Sequence, residues 1–198
     1  MLALTFDDGP DPRGTPAVLD ALAEAGVKAT FFVLAERVQA HPELFARVRA
    51  DGHDVQIHGY AHLRHPYTPR EDVEDDIDRA LTVVPGVTKW RIPWGHLAAY
   101  TQELAARREL QIVGWDADTH DWRGDSAEEM LARLEAGLEP GSIVLAHDGV
   151  GTGARRQDAR ETAKLIGPLV ASARTRGLEP GPLREEWPVP IPLGNPNL

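Results

Sequence analysis

Met1-Leu2-Ala3-Leu4-Thr5-Phe6-Asp7-Asp8-Gly9-Pro10 is the stretch on which the reading of the chain turns. An apolar run leads straight into two adjacent carboxylates and then into Gly-Pro. The run predicts a buried strand, and Gly9-Pro10 stops it. Asp7 and Asp8 therefore stand at the strand's C-terminal end. Successive side chains on a strand point to opposite faces. That predicts separate tasks for the two carboxylates, one binding a metal and the other remaining a free base. The plain alternative is an Asp-Gly-Pro turn, and the stretch taken alone does not choose between them.

Outward from it, strands and helices alternate. Thr15 to Ala25 carries the apolar stripe Val18, Leu19, Leu22 and Ala25, with Thr15 as its expected cap and Gly26 as its stop. Lys28–Leu34 is a near-continuous apolar run, the pattern of a strand covered on both faces. A short helix over Glu43–Ala50, a strand over Asp54–His58 and a helix over Arg70–Val84, acidic on its outer face, come next. Strands are expected at Lys89–Ile92, Leu110–Trp115 and Ser142–Ala146, and helices at Tyr100–Arg108, Ser126–Leu138 and Gln157–Thr175, the last with a kink at Gly167-Pro168. A weak final strand is expected near Leu178–Leu183. Six or seven strand-helix repeats imply an α/β fold on a parallel sheet, closed or open. Asp7/Asp8, His58, Arg91, Asp116–Asp121 and His147 all fall at or past the C-terminal ends of different strands, the rim where β/α barrels build their sites.

Composition narrows the function. The 198 residues fit one domain with a sizeable core. A net charge of −10 leaves no basic excess to displace counterions from a phosphate backbone, so no nucleic-acid partner is expected. The chain has no cysteine, hence no disulfide or thiolate metal site. No apolar window is long enough to span a membrane. With a strand starting at Met1 and no leader ahead of it, the chain as it stands is expected in the cytoplasm, or outside it if an upstream export segment is missing. The proline-rich segment 181–198 reads as an extended tail, with Trp187, Val189 and Ile191 as apolar anchors along the domain surface.

His58-Gly59-Tyr60-Ala61-His62 places two imidazoles four residues apart. In a helical turn that spacing shares a face. With one carboxylate they make a three-ligand set that leaves room for water and suits zinc, with cobalt, manganese or iron as alternatives. Two surface histidines in a polar loop are the bland alternative, and the aspartate pair at another strand end argues against it.

Thr5-Phe6-Asp7-Asp8-Gly9-Pro10, His58-x-x-x-His62, Arg91-x-Pro93-Trp94, Asp118-x-x-Asp121-Trp122 and Leu145-x-His147 together resemble the ordered motifs of the polysaccharide deacetylase family, the NodB-homology or carbohydrate esterase family 4 group. The resemblance covers residues 1–180. It implies a distorted (β/α) barrel of about seven parallel strands. It also implies a metal-dependent hydrolase that removes N-acetyl groups from amino sugars of a glycan, peptidoglycan or chitin-like. By that resemblance Asp8, His58 and His62 hold a divalent metal, most simply zinc. Asp7 is the general base, oriented by Arg91. His147 is the general acid, paired with Asp121. The backbone N–H of Trp94 supports the oxyanion, and Trp122 and Leu145 wall the acetyl pocket.

Singly, Arg91 also reads as a surface ion pair, Asp121 as a turn residue and Leu145 as core. Two departures stand out. Gly59 occupies the place where the family usually has Ser or Thr, whose hydroxyl ties the loop, so a looser metal site is expected. Trp94 stands for the usual Phe or Tyr and is expected to reshape the sugar groove. An O-acetyl esterase of xylan type, a small-molecule C–N hydrolase and an inactive glycan-binding module are the competing readings.

Overall fold

A computed structural model describes residues 1–135 and 137–184. Strands and helices run in the order β1 Leu2–Asp7, α1 Thr15–Ala25, β2 Thr30–Leu34, α2 Ala35–Ala40, α3 Pro42–Ala50, β3 Asp54–Gly59 and α4 Arg70–Val83. They continue as β4 Lys89–Trp90, α5 Thr101–Arg107, β5 Gln111–Ile112, β6 Ala117–Asp118, α6 Ala127–Glu135, β7 Ile143–His147, α7 Arg160–Thr175 and β8 Pro180–Gly181.

Every strand pairing described is parallel, in the order β5-β4-β3-β2-β1-β7-β6, with β8 beside the start of β1. The two outermost strands of that path are consecutive in the chain, joined only by residues 113–116. A flat sheet of seven strands would hold its edges roughly 29 Å apart at the usual strand spacing. The backbone between Ile112 and Ala117 reaches about 18 Å at full extension. The sheet must therefore curl, and its edges approach without pairing into a closed ring. The expected α/β barrel is in this sense a half-barrel.

Alternation along β1 assigns its two faces. Leu2, Leu4 and Phe6 join the large outer core beneath the helices, with Val18, Leu19 and Leu22 of α1 and Leu165, Ile166 and Leu169 of α7. Ala3 points inward, into a small second cluster with Phe32, Val113, Ile143 and Leu183. Register then stacks the concave face in layers. Ala3 lies opposite Ile143, Thr5 opposite Leu145, and Asp7 opposite His147. Apolar packing fills the bottom, and the layers become polar toward the strand ends.

Several local expectations change. Thr15 does not cap α1. It is the first helical residue, and its hydroxyl accepts from Asp11 N–H and donates to Asp148. Ser126 does cap α6, in a reciprocal exchange with Glu129. A helix at Ala35–Ala40 and a strand at Ala117–Asp118 were not expected, and β4 and β5 shrink to two residues each. α7 begins at Arg160 and keeps Pro168 inside it. Asp116 is no rim residue: its carboxylate accepts from Ile143 N–H at the start of β7. The outer face of α4 is acidic, but Asp76 on the same helix is buried. β8 and the buried Leu183 carry the packed chain past the 180/181 division expected from the sequence. The rest of the tail, with Trp187, Val189 and Ile191, lies outside the described residues. No described helix is long and apolar enough to cross a membrane.

Candidate active site

Asp7 closes β1, and Asp8 follows it with φ 74°. That left-handed turn undoes the strand alternation, so the two carboxylates do not face opposite sides. Both reach the same imidazole: His58 Nε2 lies 3.8 Å from Asp7 Oδ2 and 3.6 Å from Asp8 Oδ1. His62 Nε2 lies 3.5 Å from Asp8 Oδ1. His58 and His62 do not share a helical face. His58 sits in β3 and His62 in the bend after it, and Gly59 at φ 116° turns the chain between them. The outcome matches the expectation although the local geometry does not.

Asp8, His58 and His62 offer one ligand atom each within 4.8 Å of one another. Their chemistry fits a divalent metal on three counts. Asp8 Oδ1 is buried with no hydrogen-bond partner. His58 Nδ1 donates to the Arg91 carbonyl at 2.8 Å, which fixes the tautomer and turns the Nε2 lone pair toward Asp8. Burial, aided by His62, pushes His58 down to about 3, and burial also lowers His62, so both rings are held neutral as ligands need. The glycine-rich loop after β7 packs directly on Asp8. A Cβ on Gly149 would stand 2.6 Å from the Asp8 carbonyl oxygen, and one on Gly151 would collide with Asp8 Oδ2.

Arg91 is not a surface residue; it is 0% exposed. Its guanidinium donates to Asp7 Oδ1 at 2.8 Å, to Thr5 Oγ1 at 2.7 Å and to the Gly114 carbonyl at 3.0 Å, and it lies over the Phe32 ring at 4.1 Å. Burial pushes the Asp7 carboxyl above its usual range, while Arg91 pulls in the other direction. Such a carboxylate is a better proton acceptor than a solvated one.

His147 stands opposite Asp7 on β7. Its Nδ1 meets Asp121 Oδ1 at 2.7 Å. Asp121 Oδ2 in turn accepts from His147 N–H at 2.9 Å and from the Thr162 hydroxyl at 2.7 Å, with Arg156 at 3.2 Å. Burial works to raise Asp121, but His147 and these partners hold it well below the carboxylate range. Burial likewise works against charge on His147, yet Asp121 overrides it and raises the imidazole to about 9.

The structure therefore brings seven expected residues, Asp7, Asp8, His58, His62, Arg91, His147 and Asp121, to one rim. Trp94 joins them with φ 63°, its ring 4.9 Å from that of His62 and 3.7 Å from the Arg64 guanidinium. Leu145 is buried one layer beneath His147, and Trp122 packs edge-on to His120 at 6.2 Å.

Sequence reasoning missed the supports. Asp148 is buried, accepts from Gly9 N–H at 3.2 Å and from Thr15, and is raised to about 7 by burial and by the neighbouring Asp8 and Asp7 charges. Arg37 donates to the Asp8 and Val150 carbonyls at 2.9 Å each, tying the β1 and β7 loops together. Asp148 was legible as the residue after His147; Arg37 and Arg156 gave no sequence signal.

The polysaccharide deacetylase family model matches residues 1–113. The chain belongs to the polysaccharide deacetylase family. A chitooligosaccharide deacetylase of Bradyrhizobium sp. is 35% identical over 91% of this chain and 87% of its own length. A peptidoglycan-N-acetylglucosamine deacetylase of Bacillus cereus is 33% identical over 84% of this chain and 80% of its own. Other relatives are longer: the chain covers 56% of a second Bacillus cereus deacetylase and 32% of the Listeria monocytogenes enzyme PgdA. Among solved polysaccharide deacetylase structures, the Bc1960 peptidoglycan N-acetylglucosamine deacetylase superposes with a TM-score of 0.86 at 27% identity, covering 96% of this chain and 89% of that one. The family 4 carbohydrate esterase of Streptomyces lividans gives 0.83 at 25%, covering 96% and 97%. A family 4 pseudoenzyme of Bacillus anthracis shares the fold at TM-score 0.82 and 20% identity, over 92% of this chain and 63% of that one.

Proposed function

We propose that the chain is a metal-dependent deacetylase acting on N-acetylglucosamine units of a chitin-like oligosaccharide or of peptidoglycan, with zinc as the metal. The observation that carries this reading is the convergence on one rim of a three-ligand set, a separate buried carboxylate and a separately charged imidazole. The acetylated amino sugars named for the relatives support the substrate class. An inactive glycan-binding module would have no use for all three parts.

Asp8, His58 and His62 would hold the metal, which when bound would polarise the amide carbonyl and make water a stronger nucleophile. Asp7, kept out of the ligand set by its bond to Arg91, takes the proton from the attacking water. The oxygen of that water forms the new bond to the acetyl carbon. The backbone N–H of Trp94 supports the developing negative charge on the carbonyl oxygen. His147, protonated through Asp121, gives its proton to the sugar nitrogen as the C–N bond breaks, so acetate and a free amine leave. Leu145 and Trp122 limit the space for the acetyl methyl group. Arg91 fixes Asp7 so firmly that losing either partner of this buried pair is expected to cost about 3–5 kcal/mol.

An O-acetyl ester is the competing substrate. An alkoxide leaves with less need of protonation than an amide nitrogen, and an imidazole raised to about 9 carries its proton at neutral pH, where the harder leaving group requires it. The test is acetate release from N-acetylglucosamine oligomers, peptidoglycan and acetylated xylan, before and after chelation and zinc return. Release from the amino sugars that vanishes with chelation and returns with zinc is expected. Release from xylan alone would overturn the substrate assignment.

A further inference from the structure

We propose that Asp76, on α4, is a positioning residue that sets the loop carrying His62, and that Gly59 is the space it requires. The proposal rests on the reading that Asp8, His58 and His62 hold a metal.

Asp76 is buried on a helix whose other carboxylates face outward. Its Oδ2 accepts from Tyr60 N–H and its Oδ1 from Ala61 N–H, each at 2.8 Å. One carboxylate thus binds both amides between the Gly59 turn and His62. Gly59 lies flush against it: a Cβ there would stand 2.9 Å from Asp76 Oδ2 and 3.0 Å from the Ala61 carbonyl oxygen, at φ 116°. One turn on, the Arg79 guanidinium covers the Tyr60 ring at 3.6 Å, and the Tyr60 carbonyl accepts from Glu36 N–H at 3.1 Å.

The two ligand histidines are held differently. His58 sits in β3 and its Nδ1 is anchored on the Arg91 carbonyl. His62 lies beyond the strand, and its buried Nδ1 has no hydrogen-bond partner among the described residues. Its aim toward Asp8 therefore depends on its backbone and on packing against Trp94. The backbone is what Asp76 fixes. Without that carboxylate two part-buried N–H groups lose their partners. The loop would relax toward water and carry His62 out of range. Asp76 touches neither metal nor substrate, so its effect falls on metal affinity, as groups supporting a ligand characteristically do.

The test is zinc affinity by chelator competition, on wild-type protein, Asp76→Ala, Asp76→Asn and Gly59→Ser, with Asp78→Ala as an exposed control on the same helix. Asp76→Ala is expected to weaken zinc binding by roughly 10–100-fold. Asp76→Asn keeps one acceptor and is expected to fall between. Gly59→Ser is expected to weaken binding too, since its Cβ invades the place of Asp76. Excess zinc should restore most of kcat in Asp76→Ala with KM for the oligosaccharide unchanged, and the Tyr60 and Ala61 amides should exchange faster. A globally damaged protein would show neither. If Asp76→Ala does not fold, Asp76→Asn carries the same readouts. Zinc affinity within twofold of wild type in the folded Asp76 variants overturns the proposal. Acetate release would then still stand. Wild-type protein that binds zinc but releases no acetate overturns the deacetylase reading and leaves the affinity comparison decisive for Asp76; wild-type protein that takes up no zinc overturns both.

Discussion

His58 lies near the end of β3 and His147 closes β7, with β2 and β1 between them in the same curled sheet, and their surroundings move the two rings in opposite directions. His58 is 3% exposed, its Nδ1 spent on a carbonyl, and its proton affinity falls to about 3. His147 keeps 17% of its side chain open, meets a carboxylate at 2.7 Å, and rises to about 9. Burial opposes charge on both rings. The difference is the partner: the hydrogen bond to a neutral carbonyl offsets only part of the desolvation of His58, whereas Asp121, its oxygens saturated by Thr162, Arg156 and backbone, holds its charge and lends it to the imidazole. One ring is thereby held neutral, as a ligand must be, and the other charged, as a proton donor must be.

Asp7 lies between the two rings, beside His58 and opposite His147. Asp7→Asn is expected to have the largest effect, removing turnover by a factor toward the upper end of about 10²–10⁴ while metal content stays at the wild-type level. A metal-free Asp7→Asn protein would move Asp7 into the ligand set and dissolve the division of labour. His147→Ala is expected to lower kcat by about 10²–10³ with metal retained, and unchanged turnover would remove it as the acid.

Asp121→Asn should erase the contrast without deleting either ring. The basic limb of the pH–rate profile is expected to move from near 9 down toward the ordinary histidine value of 6.5. Stability follows the same sign. The raised pKa of His147 stabilises the folded state fully below about 6.5, and that contribution fades as pH rises through about 9. Wild type should therefore outlast Asp121→Asn in thermal melting by the widest margin near pH 6 and by the narrowest above pH 9. A pH-independent margin would mean that the pair is not what holds His147. Thr162→Val sits at the small end. It removes one buried hydrogen bond to a charged oxygen, expected to cost about 1.5–3 kcal/mol in urea unfolding, with turnover changed only a few-fold.

The chain announced the parts of the site that belong to strand ends. β1 was legible because its apolar run stops at two carboxylates, and His147 because it follows a buried run directly. Arg91, Asp121 and the histidine pair were legible through their motifs, although the helical turn imagined for His58 and His62 is a strand end and a glycine bend. What stayed hidden depends on partners far away in the chain. Thr5 reads as one more strand residue until Arg91 Nη1 is placed 2.7 Å from its hydroxyl. Asp76 reads as one of several carboxylates on an acidic helix, and only tertiary packing shows it turned inward. β4 and β5 were drawn too long because apolar runs mark burial, and in a curled sheet a chain stays buried after it leaves the ladder. The expectation at Gly59 counts a missing hydroxyl, and the Asp76 carboxylate beside that glycine is visible only in the folded chain.

β1 ends at Asp7, with Asp8 directly after it, and it pairs with β2, β7 and β8, drawing on residues 30–32, 143–147 and 180–181. The order of synthesis runs against that arrangement. The strand that must sit at the centre of the sheet is made long before two of its three neighbours, and its loop closures are among the longest the chain contains. Such pairing is slow, because the entropy of closing the chain is lost before the contacts are gained. A growing chain can display Leu2, Leu4 and Phe6 covered by α1 but without α7, β7 or β8 for most of its elongation, a condition under which hydrophobic strands seek the wrong company. The surroundings of Asp8 are likewise complete only once Gly149 and Gly151, from the last third of the chain, have closed over the first.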